Sequence, residues 1–151
     1  MKIWVDADAC PGAVKEILFR ISRRKGIDVI LVANQTLHTQ GNPRVRCVQV
    51  PSGLDVADQY IVQQAQAQDL VITADIPLAA QAIEKQAKVI DPRGTLIDAS
   101  NINERLSSRN FMQALRDAGL ETPGPKPYSM SDRQDFANQL DRLLSHLPNV
   151  N

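Results

Sequence analysis

The chain has 151 residues, is 43% hydrophobic by composition, and balances 17 basic against 17 acidic side chains. Length and apolar share suit a single globular domain, expected over residues 1–151, with a core that needs neither disulfides nor a structural metal to stand. A net charge of zero argues neither for nor against a nucleic-acid partner.

Ile3-Trp4-Val5 reads as a short buried strand that runs into Asp6-Ala7-Asp8-Ala9-Cys10-Pro11-Gly12. Proline suits the first turn of a helix, so the acidic pair falls where strand becomes helix. Side chains two apart on an extended segment point to one side, and two carboxylates so placed repel unless a cation neutralises them. The plainer alternative is a helix cap by Asp8, with Asp6 in solvent. Val14, Ile17, Leu18 and Ile21 then form the apolar face of a first helix ending near Gly26, its basic last turn matched to the helix dipole.

Residues 29–33 form a continuous apolar run, the pattern of a strand covered on both faces and hence of a parallel sheet between helices. Asn34 ends it, and a polar loop follows to Pro43, in which His38 reads as a surface histidine. Residues 45–50 mark a third strand, and Arg44 and Arg46 suit an edge position for it. After Pro51-Ser52-Gly53 a helix opens, with Asp55 and Asp58 on one face and a core stripe of Val56, Ala57, Tyr60, Ile61 and Ala65.

Residues 70–72 form a further buried strand, closing in Thr73-Ala74-Asp75-Ile76-Pro77. The opening pattern thus repeats: an apolar strand delivers an aspartate to its carboxyl end, and a proline starts the next helix. In open α/β sheets, ligands bind beyond those ends, where the strand order reverses. Residues 88–90 read as a short last strand, followed by a turn at 91–94 in which Asp91 has a turn role and Arg93 is a candidate phosphate or RNA contact. Helical faces run from Asn101 to Gly119, with Ser107-Ser108-Arg109 expected to split them in two. The prolines of residues 122–127 exclude regular structure, leaving an ordered loop or a linker. Ser131 with Gln134 predicts a capping box for a last helix carrying Phe136, Leu140, Leu143, Leu144 and Leu147.

No apolar run reaches membrane-spanning length, so no membrane partner is expected. Cys10 and Cys47 form neither a CxxC pair nor a zinc spacing, and with no apolar leader this usage fits a reducing cytoplasm. A serine or cysteine nucleophile would need a base in reach, which neither histidine supplies, and no phosphate-binding glycine fingerprint is present. What remains is a set of aspartates, Asp6, Asp8, Asp55, Asp58 and Asp75, whose all-oxygen chemistry suits Mg²⁺ or Mn²⁺. Thr73 and Asn34 are placed to orient them. Three readings stay open: a metal-dependent nuclease acting on RNA, a haloacid-dehalogenase-like phosphatase with Asp6 as nucleophile and Asp8 as acid/base, and a metal- and RNA- or nucleotide-binding module without turnover.

Val5-Asp6-Ala7-Asp8-Ala9-Cys10-Pro11, Val32-Ala33-Asn34, residues 53–58, residues 69–79 and Asp91-Pro92-Arg93-Gly94 together resemble the bacterial YaiI/YqxD family over nearly the whole chain. The resemblance implies a fold similar to the PIN domain, a group of Mg²⁺- or Mn²⁺-dependent ribonucleases, in which Asp6, Asp58 and Asp75 match the acidic site and Asp8 and Asp55 are additions. The expected architecture is therefore a three-layer PIN-like α/β fold, a mostly parallel sheet between helices with a helical C-terminal cap. Sequence alone leaves the oligomeric state open.

Overall fold

Alternation along the first strand, β1 (Lys2–Asp6), decides how the layers form: Ile3 and Val5 face one side of the sheet and Trp4 faces the other;. The computed structural model describes residues 1–150. Beside β1 lie β2 (Asp28–Ala33) and then β3 (Val45–Gln49) on one flank. On the other flank are β4 (Leu70–Ile72), β5 (Lys88–Ile90) and a two-residue strand β6 (Leu96–Ile97). The first five strands are parallel, and β6 returns antiparallel along β5. This sixth strand, too short to stand out in the sequence, takes the edge beyond what was expected as the last strand. The opposite edge is β3, as its arginines predict.

One face of the sheet is covered by α1 (Gly12–Lys25) and α5 (Met130–Leu144). Val14, Leu18 and Ile21 meet Phe136, Leu140 and Leu144 there, over Ile3, Val5, Leu31 and Ile72. The other face is covered by α2 (Val56–Gln64), α3 (Ile76–Glu84) and α4 (Ile102–Asp117). Ile61, Leu78, Ala82 and Ile102 seal Trp4, Ile30, Val71 and Val89 on that side. The result is a three-layer α/β fold. No helix among the described residues is long and apolar enough to cross a membrane.

Several local expectations are corrected. A 3-10 turn (Ala7–Ala9) intervenes before α1, Pro11 is the N-cap residue, and Asp8 makes no capping bond to that helix. The segment from Asn101 forms one unbroken helix, because Ser107, Ser108 and Arg109 lie on its exposed length and interrupt no buried face. The capping box of α5 is built from Ser129 and Asp132, not Ser131 and Gln134. Ser129 Oγ accepts from the Asp132 amide at 3.1 Å, and Asp132 Oδ2 accepts from the Ser129 amide at 3.0 Å;.

The proline-rich stretch is a loop strapped to the turn after β5. Arg93 Nη1 donates to Asp132 Oδ2 at 2.6 Å, Nη2 donates to the Lys126 carbonyl, and the guanidinium lies 5.9 Å over the Tyr128 ring. Tyr128 Oη in turn donates to the Pro92 carbonyl at 2.8 Å. Asp91 holds the turn, with Oδ1 accepting from the Arg93 and Thr95 amides at 2.9 Å each. At its apex Gly94 has φ +88°, and a Cβ there would stand 2.5 Å from the backbone carbonyl of Asp135. The turn therefore rests on bare helix backbone. Gly94→Ala combines a left-handed backbone with that overlap and is expected to destabilise the fold by about 3 kcal/mol. Chemical denaturation measures this, and an unchanged midpoint would refute the contact.

Candidate metal centre

The strand order reverses between β1 and β4, and the carboxyl ends of these two neighbouring strands meet at that switch point, where open α/β sheets form their ligand crevice;. Asp6 is the last residue of β1, and Thr73 follows β4 directly. Thr73 Oγ1 donates to Asp6 Oδ2 at 3.1 Å and accepts from the Asp75 amide at 3.0 Å, so one hydroxyl fixes both strand ends. Asp75 is the N-cap residue of α3, its Oδ1 accepting from the Leu78 amide at 3.0 Å. A third element reaches the crevice through the N-terminus of α2, which carries Asp55 and Asp58. Asp55 sits at φ +62°, a left-handed conformation that aspartate tolerates better than most residues;.

Asp55, Asp58 and Asp75 each offer a carboxylate oxygen, and these lie within 4.8 Å of one another. That spacing lets one cation with oxygen distances of about 2.0–2.6 Å draw on all three. Burial pushes the Asp58 carboxyl up to about 7, and the charge of Asp75, a hydrogen bond shared with it, and the charges of Asp6 and Asp55 push the same way. Asp6 is also raised, first by burial and further by Asp75 and Asp8, against the opposing Thr73 hydrogen bond. Fully exposed acids would relieve such repulsion by turning into water. Asp55 is exposed, but Asp58 and Asp75 are half-buried and remain crowded against it, and hard all-oxygen donors of this kind fit Mg²⁺ or Mn²⁺;.

The other sequence-chosen residues are placed differently. Asp8 is exposed, and its Oδ2 accepts from the backbone amide of Asn34 at 2.7 Å, tying the turn after β1 to the end of β2. Asn34 thus acts through its main chain, with its side chain in solvent. Arg93 has its guanidinium committed to Asp132, Lys126 and Tyr128. His38 is exposed. Cys10 is buried with its thiol pushed up to about 12, chiefly by desolvation, which keeps it protonated and inert at neutral pH;. Neither cysteine is in a disulfide.

The raised Asp58 carboxyl has a measurable consequence in metal-free protein. A group that titrates near 7 folded and near 3.8 unfolded favours the folded state most below about pH 4, and that contribution is lost as pH climbs towards 7;. The full shift corresponds to about 4 kcal/mol, which water access to this half-open site reduces to about 1–2 kcal/mol. In EDTA, Asp58→Asn is expected to raise the melting temperature at pH 8 and to leave it unchanged at pH 4. Parallel pH profiles for the two proteins would refute the crowding.

A mostly parallel, three-layer α/β protein with an aspartate cluster at its topological switch point is the class that fold and site define. Within that class the chain belongs to the YaiI/YqxD family: the model described as "Uncharacterized BCR, YaiI/YqxD family" matches residues 4–146. A UPF0178 protein of Dechloromonas aromatica is 55% identical over 98% of this chain and 99% of its own length. Relatives with the same description from Bordetella petrii and Shewanella amazonensis are 57% and 52% identical, covering 95% and 98% of this chain and 96% and 99% of their own lengths. No solved structure matches the chain at a significant level.

Proposed function

We propose that this protein is a divalent-metal-dependent, PIN-like nuclease that hydrolyses RNA phosphodiesters in the cytoplasm. The observation that carries this reading is the trio Asp55, Asp58 and Asp75, of which Asp58 and Asp75 are half-buried, with Asp6 beside it, at the carboxyl edge of β1 and β4. These residues would hold Mg²⁺ or Mn²⁺. A cation bound there would neutralise the carboxylates and would supply the Lewis acidity that polarises a phosphodiester towards attack by water. Thr73 keeps the Asp6 carboxylate aimed into the crevice, and the α3 amide bonded to Asp75 fixes that side chain against the pull of its neighbours. Asp8 stands at the rim through its bond to the Asn34 amide, a location suited to positioning water or the substrate strand.

The test is incubation of purified protein with end-labelled single-stranded RNA in millimolar Mn²⁺ and, in parallel, in EDTA. Cleavage confined to the Mn²⁺ reaction supports the nuclease. Hydrolysis of a phosphomonoester such as p-nitrophenyl phosphate, without RNA cleavage, would transfer the site to the phosphatase reading. That alternative has less support, since it needs Asp8 as acid/base beside Asp6, whereas the Asp8 carboxylate is turned to the end of β2. Retention of metal and RNA with no turnover of either substrate would leave a binding module.

A further inference from the structure

Helix α4 buries little of its length: Ile102 is buried, Leu106 is partly buried, and both join the cluster beneath α3. Beyond them the helix borders a groove of about 500 Å³ whose lining includes Ile76, the residue after Asp75. Arg105, Ser108, Arg109, Met112 and Arg116 line it along α4. Arg105, Arg109, Met112 and Arg116 follow one another at spacings of four, three and four residues, which keeps them on one helical stripe, with the arginines spread over about 16 Å of axis. Glu104 is the one carboxylate of that lining.

Elsewhere on the molecule four of the other eight arginines pair with carboxylates: Arg24 with Asp141, Arg44 with Asp28, Arg93 with Asp132 and Arg133 with Glu16. Among the described residues the three groove arginines pair with no carboxylate. Arg109 and Arg116 instead take neutral partners. Arg109 Nη1 donates to Asn110 Oδ1 at 3.3 Å, while Arg116 donates to Thr122 Oγ1 at 3.2 Å and to Gln113 Oε1 at 3.3 Å. Their charge is left for something outside. One turn along α4 from Ser108, and outside the groove's lining, Phe111 is 64% exposed, an uncommon setting for a phenyl ring with no partner;. A second copy of this chain docking symmetrically would bring arginine against arginine. A polyanion with flat apolar faces meets both features, and single-stranded nucleic acid is such a polymer.

We propose that the α4 groove carries the flanking strand of a single-stranded RNA away from the aspartate centre, with phosphates on Arg105, Arg109 and Arg116 and a base on Phe111. The polarity of this track rests on the nuclease reading of Asp75 and its neighbours, but binding along it requires no cleavage. Fluorescence anisotropy with labelled oligouridylate, in EDTA and across a range of salt, separates the two. The wild-type protein is expected to bind. The triple variant Arg105→Gln, Arg109→Gln, Arg116→Gln is expected to lose at least about 30-fold in affinity at low salt, and to flatten the slope of log affinity against log salt by about 2. Phe111→Ala is expected to weaken binding about tenfold at every salt concentration. Arg23→Gln, at the far end of α1, should bind as the wild type does. No binding by the wild type, or equal binding by the triple variant, overturns the proposal. So does a dimer in light scattering that Phe111→Ala dissociates without changing RNA affinity. RNA bound through α4 but never cleaved in Mn²⁺ would refute the nuclease and keep the track; cleavage untouched by the triple variant would do the reverse.

Discussion

Asp75→Asn should abolish Mn²⁺-dependent RNA cleavage while leaving the fold in place. The two roles of this side chain separate because asparagine is as good an N-cap as aspartate, so the bond to the Leu78 amide survives the substitution;. What is lost is one anionic oxygen from the trio with Asp55 and Asp58. Residues that only support metal ligands are worth about 10–100-fold, so removal of a direct ligand should exceed about 100-fold in activity. Asp75→Ala should show the same loss and, lacking the cap, a further destabilisation of about 1 kcal/mol. Cleavage rates and thermal melts of the two variants, side by side, check both halves. An active Asp75→Asn protein would remove Asp75 from the proposed metal ligands.

At the other end of the sheet, Asp69→Ala should be the more damaging change to folding. Asp69 is buried, and its carboxylate accepts from the Lys2 amide, the Trp4 indole Nε1 and the Gln66 amide, each at 3.0 Å. The Trp4 side chain is itself 2% exposed, so its N–H has no water to turn to. Hydrogen bonds to a charged group contribute about 1.5–3 kcal/mol each, and stranding a buried donor forfeits the larger part. A loss of about 3–4 kcal/mol is expected, with Asp69→Asn intermediate because one oxygen becomes a donor facing donors. Urea denaturation monitored by Trp4 fluorescence reads it directly, and a loss below about 1 kcal/mol would refute the network.

The contrast between Asp75 and Asp69 also shows what a sequence makes legible. Both flank the same apolar run, 70–72, yet only Asp75 carries local marks of its position: a strand before it, a proline after it, and the earlier Asp6 pattern to match. Asp69 gains its meaning from Trp4, 65 residues away. Arg93 is a similar case, read as a phosphate contact until Asp132, 39 residues on, claims its guanidinium. Continuous apolar runs made β1, β2 and β4 and their parallel order readable, since strands buried on both faces leave little choice of composition. Helix α4 defeated the same approach. Its middle, residues 107–111, is exposed, so the apolar period lapses at Ser107-Ser108-Arg109, and splitting the helix there also hid the alignment of Arg105 with Arg116. At α5, two serines offered rival registers, and the choice fell to whichever had a carboxylate at the third helical position, Asp132.

The strand order also sets a timetable for synthesis. β1 leaves the ribosome first and is central in the finished sheet, yet its second neighbour, β4, is translated only after β2, β3 and α2. Ile3 and Val5 on one face, and the end of α1 beside them, wait longer still for Phe136, Leu140 and Leu144. A nascent chain halted before residue 130 therefore presents an apolar strip that its own final helix is meant to cover. Such a strip invites chaperones or aggregation. The last seventh of the chain to be made is thus the closing stroke of the fold, and truncated products are expected to turn over quickly in the cell.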